Sequence, residues 1–176
     1  MKFLVLKFSA IFLYLISTTL SYSIEKPNIK NIVVNNDPKS YKNVIFKDVN
    51  DIIINIDSFK NKLLILNFWA TWCAPCKKEM PSLDLLQANK NLNNLKIFPI
   101  NVGREDLKKS IRFFDELNIE NLEIYHSSSN ELPKKLSLVG LPTTILINKN
   151  GEEFARIIGK VDFNDKEFIN WLKKYN

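Results

Sequence analysis

Seven consecutive residues, Leu63 to Trp69, read L-L-I-L-N-F-W, and after two more the chain reads W-C-A-P-C, Trp72 to Cys76. So nearly continuous an apolar run suits a central strand covered on both faces, not a half-exposed one. A helix is expected directly after it, from about Pro75 to Gln87, with Met80, Leu83, Leu85 and Leu86 at roughly helical spacing. Pro75 is tolerated in the first turn, where its missing N–H has no partner in any case, whereas Pro81 predicts a kink. A buried strand running into a helix commits the chain to layers of helix on sheet.

The cysteines sit at that junction. Cys73 falls at the helix N-terminus, where unpaired backbone N–H groups and the helix dipole favour a thiolate. Cys76 lies one turn further on, so its sulfur can face the first. Cys73 can then attack a disulfide and Cys76 can resolve the mixed disulfide. Other readings of the pair are a strained structural disulfide, two buried thiols, or a copper or zinc loop. With Cys73, Cys76 and His126 as the chain's whole stock of cysteine and histidine, a structural zinc site lacks its fourth soft ligand. His126 reads as a loop residue. A disulfide-stapled mini-protein would need more cysteines.

The remaining elements follow from pattern. Val44 to Lys47 and Ile52 to Ile56 flank Asp48-Val49-Asn50-Asp51 as a hairpin, and Ser58 to Lys62 is a turn. Lys96 to Val102 is a strand, and Asp106 to Leu117 a helix with Leu107, Ile111, Phe114 and Leu117 on one face. A short strand at Leu122 to Tyr125 and a short helix at Asn130 to Leu136 come next. Thr143 to Ile147 and Phe154 to Ile158 form strands joined by a turn at Asn148 to Gly151, and Asn164 to Tyr175 closes the chain as a helix. The order β-β-β-α-β-α-β-α-β-β-α mixes parallel crossovers with a terminal hairpin, the mark of an α/β fold with a mixed sheet.

Residues 1–23 stand apart. Lys2 and Lys7 are their only charges, and Phe8 to Leu20 is thirteen residues without one. That suits the apolar region of a secretory signal with cleavage before Ile24; counted from Phe3 through Lys7, the eighteen residues to Leu20 also allow a retained membrane anchor. Residues 24–42, polar and carrying Pro27 and Pro38, read as a linker, leaving 43–176 as the folded domain. Outside the cytoplasm a cysteine pair can be oxidised and needs a dedicated partner to re-reduce it. The chain's 25 Lys+Arg against 19 Asp+Glu give a net charge of +6 scattered in pairs, without the concentrated patch of a nucleic-acid binder.

Asn67 to Pro81, N-F-W-A-T-W-C-A-P-C-K-K-E-M-P, resembles the thioredoxin superfamily, and more closely its exported TlpA/ResA-like branch, which includes the cytochrome c maturation thioredoxins. Gly140-Leu141-Pro142-Thr143-Thr144 is similar to the family's cis-proline loop, and the resemblance runs from about Val44 to Asn176. It implies a thioredoxin fold with an N-terminal β-hairpin and a central αβ insertion. Cys73 and Cys76 become catalytic, while Trp72, Pro75, Leu141 and Pro142 line the substrate surface. Trp69 is expected in the core. Cytoplasmic relatives carry a buried aspartate where this chain has Asn67, which cannot take up a proton. Glu79 matches an acid typical of the branch and is expected to tune the thiols, raising their pKa by like-charge repulsion. A monomeric reductant is implied, in the bacterial periplasm or at the outer face of the inner membrane, with no metal or other cofactor. A membrane thiol–disulfide donor would supply electrons for client proteins with oxidised cysteines, apocytochrome c first and copper-centre assembly factors next. The alternative of another class is a Cu(I) metallochaperone using the same cysteines.

Overall fold

In the computed structural model the apolar run is β4 (Leu63–Trp69), buried along its whole length near the middle of the sheet. The structure describes residues 26–127 and 129–176. The targeting segment expected over residues 1–23 lies outside them. Among the described residues no helix is long and apolar enough to cross a membrane.

The other strands are β1 (Ile32–Ser40), β2 (Ile45–Asp48), β3 (Ile53–Asn55), β5 (Leu95–Asn101), β6 (Tyr125–His126), β7 (Thr143–Ile147) and β8 (Glu152–Ile158). The helices are α1 (Ala74–Gln87), α2 (Leu107–Glu116), α3 (Glu131–Lys135) and α4 (Lys166–Leu172). Among the described residues, eight strands form one sheet in the order β1-β8-β7-β4-β5-β6-β2-β3. Pairings β4–β5 and β5–β6 are parallel, whereas β4–β7, β7–β8, β1–β8, β2–β6 and the β2–β3 hairpin are antiparallel. This is the expected mixed sheet.

Successive residues of β4 point to opposite faces, as the period of a strand requires. Leu63, Ile65 and Trp69 join a core with Met80, Leu83 and Leu86 of α1, Phe113 and Phe114 of α2, and Phe168, Trp171 and Leu172 of α4. Leu64, Leu66 and Phe68 join the other, with Phe46, Phe98, Tyr125, Leu132 and Leu136. Asn67 is the polar member of the first face.

Two expectations need correction. Ile32–Ser40, read as linker, is β1 and pairs with β8, from Ile32↔Ile157 to Ser40↔Glu152. Its β-branched start, Ile32-Val33-Val34, outweighs the polar tract. Asn35 to Pro38 fall in a register shift between Val34 and Lys39, where a proline's missing N–H breaks no ladder bond. The strand expected at Leu122 to Tyr125 is only Tyr125–His126. The N–H groups of Asn121 and Leu122 instead donate to Asp84 Oδ1 on α1, at 2.7 and 3.0 Å, and Asn121 Nδ2 donates to Oδ2 at 2.8 Å. Asp84 is buried. Asp84→Ala strands those donors and is expected to lower stability by about 2 kcal/mol, read as a shift in the urea midpoint at unchanged slope.

Candidate active site

β4 ends at Trp69, and after Ala70, Thr71 and Trp72 the chain turns into α1 with Cys73 as its N-cap, φ −82° and ψ 98°. Cys73 N–H donates to the Ala70 carbonyl at 3.1 Å, closing the turn, and Cys73 Sγ accepts the N–H of Cys76 at 3.3 Å. The two sulfurs form a disulfide, S–S 2.00 Å with Cα atoms 5.2 Å apart. Cys76 is fully buried and Cys73 only 4% exposed, so a client reaches Cys73 first. Pro75 sits in the first turn, where no intrahelical partner is lost. Pro81 also lies within α1, with no N–H to offer.

Trp72 and Trp69 stand in opposite environments. Trp72 stands 67% exposed beside the disulfide. Trp69 is fully buried against Phe113 and Phe114, with ring centroids 4.6 and 5.5 Å away. In the loop that enters β7, whose Thr143 pairs with Phe68 near the end of β4, the Leu141–Pro142 bond is cis. Leu141 is half-buried against both cores and Pro142 is buried. The Pro142 carbonyl accepts Gly159 N–H at 2.8 Å, and the Thr143 hydroxyl donates to the Gly140 carbonyl at 2.7 Å.

Glu79 follows Cys76 by three residues, on the same face of α1. It is 1% exposed, not a surface residue. Its Oε1 accepts Asn67 Nδ2 at 2.8 Å and its Oε2 accepts Val161 N–H at 3.2 Å. Burial pushes the carboxyl up to about 7, against the pull of the Asn67 and Val161 bonds and the nearby Lys160 charge. This alters the expected influence on the thiols. A carboxyl that is part-protonated near neutral pH exerts only part of the like-charge repulsion anticipated, and can also give or take a proton.

Asn67 Nδ2 also donates to Thr144 Oγ1 at 3.0 Å. One amide on the central strand thus ties the cysteine helix to the strand that leaves the Leu141–Pro142 loop. Asn67 Oδ1 is buried with no hydrogen-bond partner among the described residues. Asn67 does not titrate, but it holds the group that does.

His126 is not in a loop. It lies in β6, with Nε2 3.1 Å from the Asp48 carbonyl and 3.8 Å from the Asp51 carboxylate. Sequence reasoning passed over Glu105, whose carboxylate accepts Thr71 N–H at 2.8 Å and the Thr71 hydroxyl. The available signal was an acid just past a strand end, close behind the one glycine in that stretch.

The family model described as Redoxin matches residues 27–168. Thiol-disulfide oxidoreductase ResA of Bacillus subtilis is 30% identical over 132 residues, covering 74% of this chain and 73% of that protein. ResA of Bacillus thuringiensis subsp. konkukian is 28% identical over 136 residues, with 77% and 76% covered. Among solved structures, StoA from Bacillus subtilis superposes with a TM-score of 0.60 at 23% identity, over 82% of this chain and 98% of that one, which bears on the fold alone. A family match of that breadth, on a shared thioredoxin-like fold and with the disulfide at its strand–helix junction, means that the chain belongs to the Redoxin family as a thiol–disulfide oxidoreductase.

Proposed function

We propose that the protein is exported and acts as a reductant of client disulfides. The observation that carries this is the Cys73–Cys76 pair at the first turn of α1, its inner sulfur sealed in the core and its outer one beside the exposed Trp72. In the reduced protein the Cys73 thiolate attacks one sulfur of a client disulfide. A Cys73–client bond forms, the client disulfide breaks, and the other client sulfur leaves as thiolate. Cys76 then loses its proton and attacks Cys73 Sγ. The Cys73–Cys76 disulfide forms, and the second client thiol departs. Glu79, with a pKa near 7 and one turn from Cys76, suits the role of proton acceptor in that step and of proton donor in the reverse one. Trp72, Pro75, Leu141 and Pro142 serve as the surface on which the client segment lies.

The donor that returns two electrons is a membrane thiol–disulfide protein, and the setting is the bacterial periplasm or the outer face of the inner membrane. The uncharged stretch at Phe8 to Leu20 supports export, whether cleaved or retained as an anchor. Resemblance of Asn67 to Pro81 to the cytochrome c maturation branch supports apocytochrome c as first client, with copper-centre assembly factors second.

Cys76→Ser tests the reading, because the mixed disulfide has no resolving thiol. Incubated with an oxidised C-x-x-C-H peptide, the variant is expected to accumulate a one-to-one adduct on Cys73 that dithiothreitol releases. Wild type should turn the same peptide over with no adduct. An adduct on neither variant nor wild type, with the peptide still oxidised, rejects the haem-site client; the same result with oxidised insulin rejects client reduction altogether.

A further inference from the structure

Residues 101–105 leave β5 and fold back over Ala70 and Thr71, which join β4 to the cysteine motif. Val102 N–H donates to the Trp69 carbonyl at 3.0 Å. Gly103 then passes so close that a Cβ there would stand 2.8 Å from the Ala70 methyl and 2.7 Å from Glu105 Oε2. Only glycine allows that approach without a shift. Its N–H donates to Asn101 Oδ1 at 2.6 Å. Arg104 takes a left-handed conformation, φ 57°, uncommon outside glycine, and turns the chain back at Glu105. The Glu105 carboxylate accepts Thr71 N–H on Oε2 at 2.8 Å, the Thr71 hydroxyl on Oε1, and Asn101 Nδ2 at 3.4 Å. Asn101 is itself anchored to Ser110 Oγ of α2 at 2.8 Å.

Both donors of Thr71 are thus taken by one side chain 34 residues away. Thr71 lies inside the Ala70–Cys73 turn, closed by Cys73 N–H on the Ala70 carbonyl. The direction in which the Cys73 side chain leaves that turn decides whether Sγ meets the Cys76 N–H. We infer that Glu105 is a positioning residue for the redox loop: by clasping Thr71 it holds Cys73 in the N-cap geometry that favours the thiolate. The inference rests on Cys73 being the attacking sulfur, as proposed above. Burial pushes the Glu105 carboxyl up, but the Thr71 hydroxyl and N–H, Asn101 and the Lys109 charge more than offset this and hold it below its usual value. The clasp is therefore ionised at neutral pH. Its neighbour in sequence, Arg104, and Lys108 and Lys109 on α2 are the cations close to it in the chain.

The test measures iodoacetamide labelling of each cysteine against pH, together with the thiol–disulfide equilibrium against glutathione. It compares the reduced wild type with Glu105→Ala, Glu105→Gln and Thr71→Val. Glutamine can keep the clasp, its carbonyl accepting the Thr71 N–H and its amide donating to the hydroxyl. Glu105→Ala is expected to slow Cys73 labelling at pH 7 about tenfold and to move its profile to higher pH, with Thr71→Val between it and wild type and Glu105→Gln within about twofold of wild type. A merely structural role would lower thermal stability while leaving labelling profile and glutathione equilibrium superimposable on wild type, and that result overturns the proposal. Glu105→Gln behaving as Glu105→Ala overturns it as well, because charge alone would then be at work. Should Glu105→Ala not fold, a Thr71→Val profile identical to wild type is the overturning result. Wild type labelling first at Cys76 would instead overturn the assignment of the nucleophile, a separate outcome read from the wild-type protein alone.

Discussion

Arg156→Met is expected to cost about 3 to 5 kcal/mol of folding stability at neutral pH, because it leaves an unpaired carboxylate in the core. Arg156 donates through Nε to Glu153 Oε1 at 2.8 Å and through Nη2 to Glu153 Oε2 at 2.9 Å. Nη1 donates to the carbonyls of Leu136 and Ser137 at 2.8 and 3.2 Å, and Nη2 also lies 3.3 Å from Tyr41 OH. Tyr41 OH donates to Glu153 Oε2 at 2.7 Å. The Glu153 side chain is 3% exposed and that of Arg156 15%, so solvent cannot replace the lost partner. Burial alone would push the Glu153 carboxyl up, but Arg156 and Tyr41 outweigh it and hold the carboxyl below its ordinary value. In wild type this pair therefore contributes stability above the unfolded carboxyl's pKa, which is lost as pH falls through the lower folded value. The sign reverses in the variant. Glu153, left buried with the Tyr41 hydroxyl but no countercharge, has its pKa raised relative to wild type, so Arg156→Met should recover stability in acid. Urea midpoints for both proteins at pH 7 and pH 5 decide it. A constant gap across that range would mean that lost packing, not the stranded charge, sets the cost. Adding Glu153→Gln to Arg156→Met should restore part of the loss at pH 7.

Glu79→Gln should move stability the other way. The folded carboxyl titrates at about 7 against an ordinary 4.5, so the native oxidised protein binds that proton more tightly than the unfolded chain. The stability linked to it is fully present below the unfolded value and is lost as pH rises through the folded one. The difference corresponds to on the order of 3 kcal/mol. The gap between Glu79→Gln and wild type should therefore open in favour of the variant between pH 5 and pH 8. In client reduction the same variant should lose its pH response near 7, because glutamine cannot accept the Cys76 proton. Parallel stability curves would mean that the carboxyl titrates in the native protein as it does in water.

What could be read from the sequence is what local spacing encodes. β4 needs a nearly unbroken apolar run, six of its seven residues, α1 a capped start and a helical stripe, and the β7–β8 turn a glycine; each was placed within a few residues. The cysteine pair and the burial of Trp69 were legible in the same stretch. The groups that hold the site lie far apart in the chain. Thr71 meets Glu105 across 34 residues, Asn67 meets Thr144 across 77 and Tyr41 meets Glu153 across 112. No local pattern announces such pairs. Tyr41 fell in a stretch read as linker because the one β-branched triplet there is followed by Asn, Asp and Pro, which ordinarily end a strand. Glu79 was a candidate from the start, yet its expected effect assumed a wetted carboxylate. The desolvation that governs it comes from the core that closes over α1, including Val161 and Phe163 beyond the last strand.

Pairing of β1 with β8 has a consequence in time. Asn31 donates its side-chain amide to the Ile158 and Gly159 carbonyls, 127 and 128 residues further along. A chain made from its amino end must hold that first strand open until nearly everything else has emerged. Its loop-closure entropy is then the last and largest to be met, which slows folding. Meanwhile the β8 edge and the buried faces it completes stay available to other chains, so a holding chaperone has most to offer in the interval before the two ends meet.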